Sequence, residues 1–292
     1  MTRALLARGH TVIACDDLSI GTWRDTRDRL IWDAIDVADP GLARRLDHHA
    51  PAAVVHCAAH PGGRSNDEPS ADVRVNTLGS MQVFEWCARN TVPVVYLSSS
   101  AVYGEQPATP IVESAPLGPG TVYAVCKVAC EGFLRVLQGA YGLQWTALRL
   151  FATYGPGHRP GTSQGIVNVL ITQLLAGNRV VVRGSLGRVR DLVYVDDAAE
   201  AIVACLFEPR ARHRILNVGT GDATTVGDVI ARLGALLGRR HTELELVEEP
   251  GTAGDPAYSV ADTRAFAAAT GVVPRIRLDD GLARLVAART GH

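Results

Sequence analysis

Short apolar, β-branched runs at 11–15, 53–57, 93–97 and 145–150 recur through the first half of the chain, and stretches of helical periodicity at 70–89 and 122–139 separate them. Strands apolar throughout are covered on both faces, and parallel strands need helical crossovers between them. This order therefore predicts an α/β fold with a doubly wound parallel sheet, whose ligands sit at the carboxyl ends of the strands. After Phe151 the texture changes to a Gly- and Pro-rich loop at 154–161, and then to more widely spaced elements. The reading divides the chain into a nucleotide-binding domain over 1–157 and a smaller lobe over 158–292, with a cleft between them. Two short helices are expected within 261–286.

Charge narrows the partners. Twenty-nine basic against thirty acidic residues leave a net charge of -1, with no long basic cluster. Nucleic acid and anionic membrane surfaces are poor partners for such a balance. No apolar run approaches the ~20 residues of a membrane span, and the N-terminal apolar stretch is too short for a signal peptide, so the expected location is the cytoplasm. Six cysteines occur without a C-x-x-C pair. They read as reduced core residues and not as metal ligands, although Cys126 and Cys130 share a helical face.

The chain opens on what reads as the second half of a helix, closed by Gly9 and followed at once by the strand at 11–15. A doubly wound nucleotide domain begins one strand and half a helix earlier, where a glycine-rich phosphate loop joins them. No glycine cluster occurs before residue 60, and neither Gly62-Gly63 nor the group from Gly155 to Gly161 follows a strand and opens a helix. The expectation is that the sheet lacks its first strand because the true start lies upstream of Met1, and that a chain beginning at Met1 folds poorly.

Candidate chemistry sits at the strand ends. Asp16, closing the first run, is placed to accept both hydroxyls of an adenosine ribose, which would favour NAD over NADP; a solvated turn is the plainer reading. Asp36, in Trp32-Asp-Ala-Ile-Asp-Val37, is a weaker candidate for facing an adenine. Tyr123 and Lys127 lie four apart on a helix, so an ammonium stands beside a phenol and favours phenolate, turning tyrosine into a general base. The pair follows a strand ending in Ser98-Ser-Ser-Ala-Val-Tyr-Gly104, whose hydroxyls are expected in the ligand crevice.

With His56-Cys-Ala-Ala59, Val75-Asn-Thr-Leu-Gly79 and Arg190-Asp-Leu-Val-Tyr-Val-Asp-Asp197, these motifs stand in the order and spacing of the extended short-chain dehydrogenase/reductase family. Within it the chain resembles the NAD-dependent sugar-nucleotide epimerases and dehydratases of the UDP-glucose 4-epimerase type, from Thr2 almost to the C-terminus. The resemblance implies a Rossmann-like first domain, NAD as cofactor and a nucleotide-diphosphate sugar, most simply a UDP-sugar, as substrate. It casts Tyr123 as base, Lys127 as the holder of the nicotinamide ribose and Ser99 as the proton-sharing hydroxyl, with Ser100 beside it at the substrate. It assigns Asp16, Asp36, Ala58, Ala59 and Asn76 to the cofactor side, Asn76 as a buried structural residue. Arg190 is matched to a substrate diphosphate and Tyr258 to a segment closing over the nucleotide. A homodimer through the helices at 70–89 and 122–139 is expected, with Val83, Phe84, Phe133 and Leu137 serving either that interface or the subunit's own core.

Three positions depart from the family pattern. The phosphate loop is missing, Ala152 stands where an asparagine usually contacts the substrate phosphate, and Thr252-Ala253 replaces an arginine expected before Gly254. Arg159, Arg183 and Arg188 are candidate substitutes. The dehydratase branch carries an Asp-Glu pair after the catalytic hydroxyl; here Ser100 and Ala101 follow Ser99, which implies the epimerase cycle of oxidation and re-reduction. The alternatives are a reductase or dehydrogenase of keto-sugar nucleotides and a non-catalytic sugar-nucleotide-binding protein.

Overall fold

The computed structural model describes residues 1–19, 26–61, 67–158 and 165–291. Helix α1 (Thr2–Ala7) precedes β1 (Val12–Asp16), which pairs in parallel with β2 (Leu30–Ala34). The sequence reading missed β2, a five-residue strand interrupted by Asp33. Helix α2 (Leu42–His49) and β3 (Val54–His56) follow. A continuous helix then runs through α3 (Pro69–Ala71), a π-helical stretch (Asp72–Gly79) and α4 (Ser80–Asn90) to β4 (Val94–Ser99). Helix α5 (Val122–Tyr141) starts where the Thr121 hydroxyl caps the Ala124 N–H at 3.2 Å and stops at Gly142, which adopts the left-handed conformation. Strand β5 (Trp145–Leu150) returns beside β4 in parallel.

Beyond β5 the chain alternates between two layers. Strand β6 (Ala152–Tyr154), helix α6 (Ile166–Ala176), and strands β7 (Arg179–Arg183), β8 (Val189–Arg190) and β9 (Leu192–Tyr194) build the smaller lobe, where β6 pairs with β9. Helix α7 (Val195–Phe207) and β10 (Arg214–Val218) then go back to the large sheet, whose order is β10-β5-β4-β3, all parallel. The lobe resumes with β11 (Thr224–Thr225), α8 (Val226–Leu236), β12 (Glu245–Glu249), which pairs with β7, and β13 (Tyr258–Ser259), which pairs with β8. Helices α9 (Arg264–Thr270) and α10 (Leu278–Thr290) close the chain, near the two expected there. A single division at 157/158 therefore does not follow the sheet, because β10 completes the first layer from the far side of that boundary. β1 and β3 do not pair, so among the described residues the Rossmann-like parallel strands form two sheets.

Both faces of the large sheet are covered, as a doubly wound fold requires. Phe84, Cys87, Leu134 and Leu137 from α4 and α5 pack with Tyr96 and Trp145 on one face; on the other, Ile202 of α7 and Phe266 of α9 pack with Val95, Leu148 and Leu216. Burying each such side chain contributes roughly 1.5–3 kcal/mol. Val83, Phe84 and Leu137 thus belong to the subunit's own core, with Phe133 packed against it. Cys87, Cys126, Cys130 and Cys205 are buried as expected of core cysteines, whereas Cys15 and Cys57 are exposed, at the carboxyl ends of β1 and β3. No helix among the described residues is long and apolar enough to cross a membrane.

Candidate active site

The end of β4 delivers two hydroxyls in different directions, because successive strand residues face opposite sides. Ser98 is buried and donates to Glu131 Oε1 at 2.7 Å. Ser99 caps the following short turn, its Oγ accepting the Ala101 N–H at 3.2 Å, and Ser100 opens that turn. Tyr123 and Lys127 occupy one face of α5 near its start, as their spacing predicts. Lys127 is buried; its Nζ donates to the Leu97 carbonyl at 2.7 Å and lies 4.8 Å from the ring centre of Tyr96 and 5.5 Å from that of Tyr123. Among the described residues, no carboxylate pairs with this ammonium.

One cavity of about 320 Å³ brings Ser99 and Tyr123 together. Its wall also includes Phe151, Ala152, Thr153, His158 and Leu192, and among the described residues no acidic one lines it. Lys127 and Ser100 are not on this wall. His158, whose imidazole is held below its usual pKa by burial, escaped the sequence reading, as did Thr153. The signal for His158 was present in Gly155-Pro-Gly-His158, which was read only as a change of texture between domains.

Behind the cavity, the loop after β3 is tied down by side chains. Asn76 is buried in the π-helical stretch, where its Oδ1 accepts the His60 N–H at 2.7 Å and its Nδ2 donates to the His60 carbonyl and to Asp72 Oδ1. Its amide is engaged by protein groups, so it acts through the position of the loop that carries Ala58 and Ala59. Ser80 donates to the Asn76 carbonyl at 2.7 Å, which leaves its oxygen to accept from His56 Nε2 at 2.8 Å. Burial, helped by the charge of Lys127, lowers the His56 pKa to about 3, so the imidazole is neutral.

Asp16 ends β1 with Oδ1 accepting the Leu18 N–H at 2.7 Å, an exposed turn at a strand's carboxyl end. Asp36 lies just past β2. Burial pushes its carboxyl up, but the Ala38 N–H at 2.8 Å and the Arg74 guanidinium at 2.5 Å outweigh that and hold it below the usual range.

A second cluster forms on the smaller lobe. Asp191, fully buried, accepts the Thr220 N–H and hydroxyl on Oδ1 and the Gly221 and Ala261 N–H groups on Oδ2; burial still pushes its pKa up. This junction fixes Arg190 on one side and the cavity residue Leu192 on the other. Arg190 Nη2 donates to Asp255 Oδ1 at 2.5 Å, and Arg188 Nη1 donates to Asp255 Oδ2. Tyr258 is held nearby because β13 pairs with β8, Tyr258 opposite Val189 and Ser259 opposite Arg190. Burial, then the neighbouring Arg188, pull Arg190 down to about 10. Arg183 is exposed at the end of β7. Arg159 and Gly62-Gly63 lie outside the described residues. Asp255 was not singled out in the sequence, since its partners are 65 and 67 residues away.

Comparison with known proteins gives a consistent set of relatives. Residues 1–219 match the model of the NAD dependent epimerase/dehydratase family. The UDP-glucose 4-epimerase of Mycolicibacterium smegmatis is 31% identical over 290 residues, covering 97% of this chain and 91% of that protein. The crystal structure of the Thermotoga maritima UDP-glucose 4-epimerase with UDP-glucose superposes with a TM-score of 0.92 at 28% identity, covering 99% of this chain and 94% of the other. The Thermus thermophilus UDP-glucose 4-epimerase in complex with NAD gives a TM-score of 0.91 at 32% identity with the same coverage. dTDP-glucose 4,6-dehydratases are also among the relatives.

Proposed function

The chain belongs to the NAD dependent epimerase/dehydratase family, and from that premise we propose that it is a 4-epimerase of a nucleotide-diphosphate sugar, with a UDP-sugar such as UDP-glucose or UDP-galactose as its substrate. The observation that carries this reading is the cavity wall. It joins Ser99 to Tyr123, and among the described residues it contributes no carboxylate. Eliminating water needs an additional acid and base at the sugar, whereas oxidation and re-reduction at one carbon need only one group that takes a proton and gives it back.

The residues present fit NAD at its two ends. Asp16 and Asp36 would take the adenosine end, and Ala58 and Ala59 lie on the loop after β3. The buried Lys127 ammonium has one carbonyl acceptor, Leu97, and further N–H groups for a ribose. Bound there, NAD supplies the hydride acceptor and donor. Tyr123 takes the proton of the sugar C4 hydroxyl as the alcohol is oxidised and returns it when the ketone is reduced. Lys127 places positive charge beside the ionised phenol, and Ser99 shares the proton and stabilises charge on the sugar oxygen. His158, whose pKa burial lowers, lines the same cavity and would hydrogen-bond the sugar there. The second copy of an expected homodimer would meet exposed apolar residues of the two long helices, such as Val73, Leu78, Val125 and Val136.

The deciding experiment supplies the purified protein with UDP-glucose and follows UDP-galactose by nuclear magnetic resonance. Conversion without net use of NAD(P)H supports the epimerase; stoichiometric NAD(P)H consumption with a keto-sugar nucleotide identifies a reductase instead. Tyr123→Phe is expected to lower turnover by about 10²- to 10⁴-fold, the usual worth of a general base, with UDP affinity unchanged. Full activity in that variant removes Tyr123 from the mechanism.

A further inference from the structure

Lys127 is the only lysine in the chain; the other 28 of its 29 basic residues are arginine. It is buried, and a buried charge needs protein groups in place of water. An ammonium carries three N–H donors in tetrahedral directions, and the Leu97 carbonyl takes one of them at 2.7 Å. The planar five-donor fork of an arginine could not be satisfied in so narrow a place.

The titratable groups around Lys127 are held in their uncharged forms near neutral pH. Burial, helped by the charge of Lys127 itself, lowers His56 to about 3, while burial pushes the Cys57 thiol up to about 11 and raises those of Cys126 and Cys130. Burial also pushes the Tyr96 phenol well above its usual value. The carboxylates on the adjoining helical stretches have partners of their own: Asp72 accepts from the Asn76 amide and pairs with His60, and Glu131 pairs with Arg149.

What lies against the ammonium besides the carbonyl is aromatic. Nζ stands over the Tyr96 ring, 4.8 Å from its centre, where the negative face of the ring attracts a cation. Strand β4 therefore supplies both partners from adjacent residues, the ring of Tyr96 and the carbonyl of Leu97. The ring is clamped. His56, its register partner on β3, stacks on it at 5.7 Å, and Phe84 meets it edge-on at 5.3 Å. The Tyr96 hydroxyl is buried with no hydrogen-bond partner among the described residues, so the position uses the ring and not the hydroxyl.

We propose, resting on the role given above to Lys127 beside Tyr123, that Tyr96 is a positioning residue for this lysine: its ring and the Leu97 carbonyl take two sides of the ammonium and leave the third N–H for Tyr123 and the nicotinamide ribose. Tyr96 is not on the cavity wall and acts only through the lysine.

Because the chain has a single lysine, full-length protein labelled with carbon-13 at the lysine ε-carbon gives one magnetic resonance signal that reports Lys127 directly. Ring shielding is expected to place its ε-proton signal upfield of free lysine, and Tyr96→Leu to return it to the free position. In Tyr96→Leu, kcat is expected to fall about 3- to 30-fold, the worth of a desolvated cation–π contact, with the KM for the UDP-sugar unchanged. The rising limb of its kcat–pH profile should move to higher pH by up to about one unit, since the phenolate loses a well-placed positive neighbour. Tyr96→Phe keeps the ring and should keep the signal, the rate within about twofold and the limb. A drop that is equal at every pH in Tyr96→Leu makes Tyr96 a packing residue and overturns the proposal; so does a Tyr96→Phe protein as impaired as Tyr96→Leu. A parent signal at the free-lysine position overturns it without any variant, which decides the matter even where Tyr96→Leu fails to fold. The signal is read without substrate or turnover: the upfield position in a protein that does not epimerise would sink only the proposed reaction, and epimerisation with the signal at the free position would sink only this inference.

Discussion

Arg149 and Arg190 are both removed from water, yet they stand in opposite electrostatic positions. Arg149 meets Glu131 with two parallel hydrogen bonds, Nε to Oε1 at 2.9 Å and Nη2 to Oε2 at 2.7 Å, and its third donor group reaches the Glu113 carbonyl at 3.0 Å. Ser98 completes the carboxylate. Burial pulls the Arg149 pKa down, but the hydrogen bonds and charge of Glu131 outweigh it and hold the guanidinium firmly protonated. Arg190 shares the Asp255 carboxylate with Arg188, and there burial and like charge outweigh the pull of Glu105. A closed pair has nothing left to offer a ligand, so its work is to hold α5 against β4 and β5. The Arg188–Arg190–Asp255 cluster is less deeply buried, with Asp255 34% exposed, so its charges keep water as a partner.

The strongest way to break this contrast is Glu131→Gln. It strands the Arg149 charge in the interior and is expected to cost about 3–5 kcal/mol of stability, read as a lower urea midpoint. A variant as stable as the parent would mean that Arg149 is not dependent on its partner. Acid provides the next largest effect. The folded protein holds His56 neutral down to about pH 3, while the unfolded chain takes up a proton below about 6.5. The unfolded state binds more protons throughout that window, so stability falls as pH drops from about 6.5 towards 3, by up to about 1.4 kcal/mol per pH unit from this group. Denaturant titrations between pH 7 and 5 should show the slope, and His56→Gln should flatten it; an equal slope in both proteins would assign the acid sensitivity elsewhere. The smallest effect has the opposite sign to the first. Arg188→Gln relieves repulsion between two buried cations, so the melting temperature is expected to stay level or rise, by no more than about 1 kcal/mol of stability. A clear loss would make the cluster a structural element like Arg149–Glu131.

The candidate site was legible where its geometry is local. Tyr123 and Lys127 share a helical face because of their spacing, and Ser99 emerges at a strand end because the run before it is β-branched. The strands at β1, β3, β4 and β5 were visible for the same reason. β2 was not, since five residues interrupted by Asp33 carry too short a pattern to stand out. The return of β10 to the first sheet was hidden because a strand's sequence records its burial and not its neighbour.

Residue type and spacing determined which side chains bear chemistry and in what order they occur. Helical and strand periods act over a few residues, and a sequence displays them directly. Tertiary structure alone decided which charges are matched. Glu131 finds Arg149 across 18 residues, and Asp255 finds its two arginines across 65 and 67. The balance of a buried charge depends on every group packed around it, so Arg149 is held by a fully buried carboxylate while Arg188 and Arg190 share one that is partly exposed.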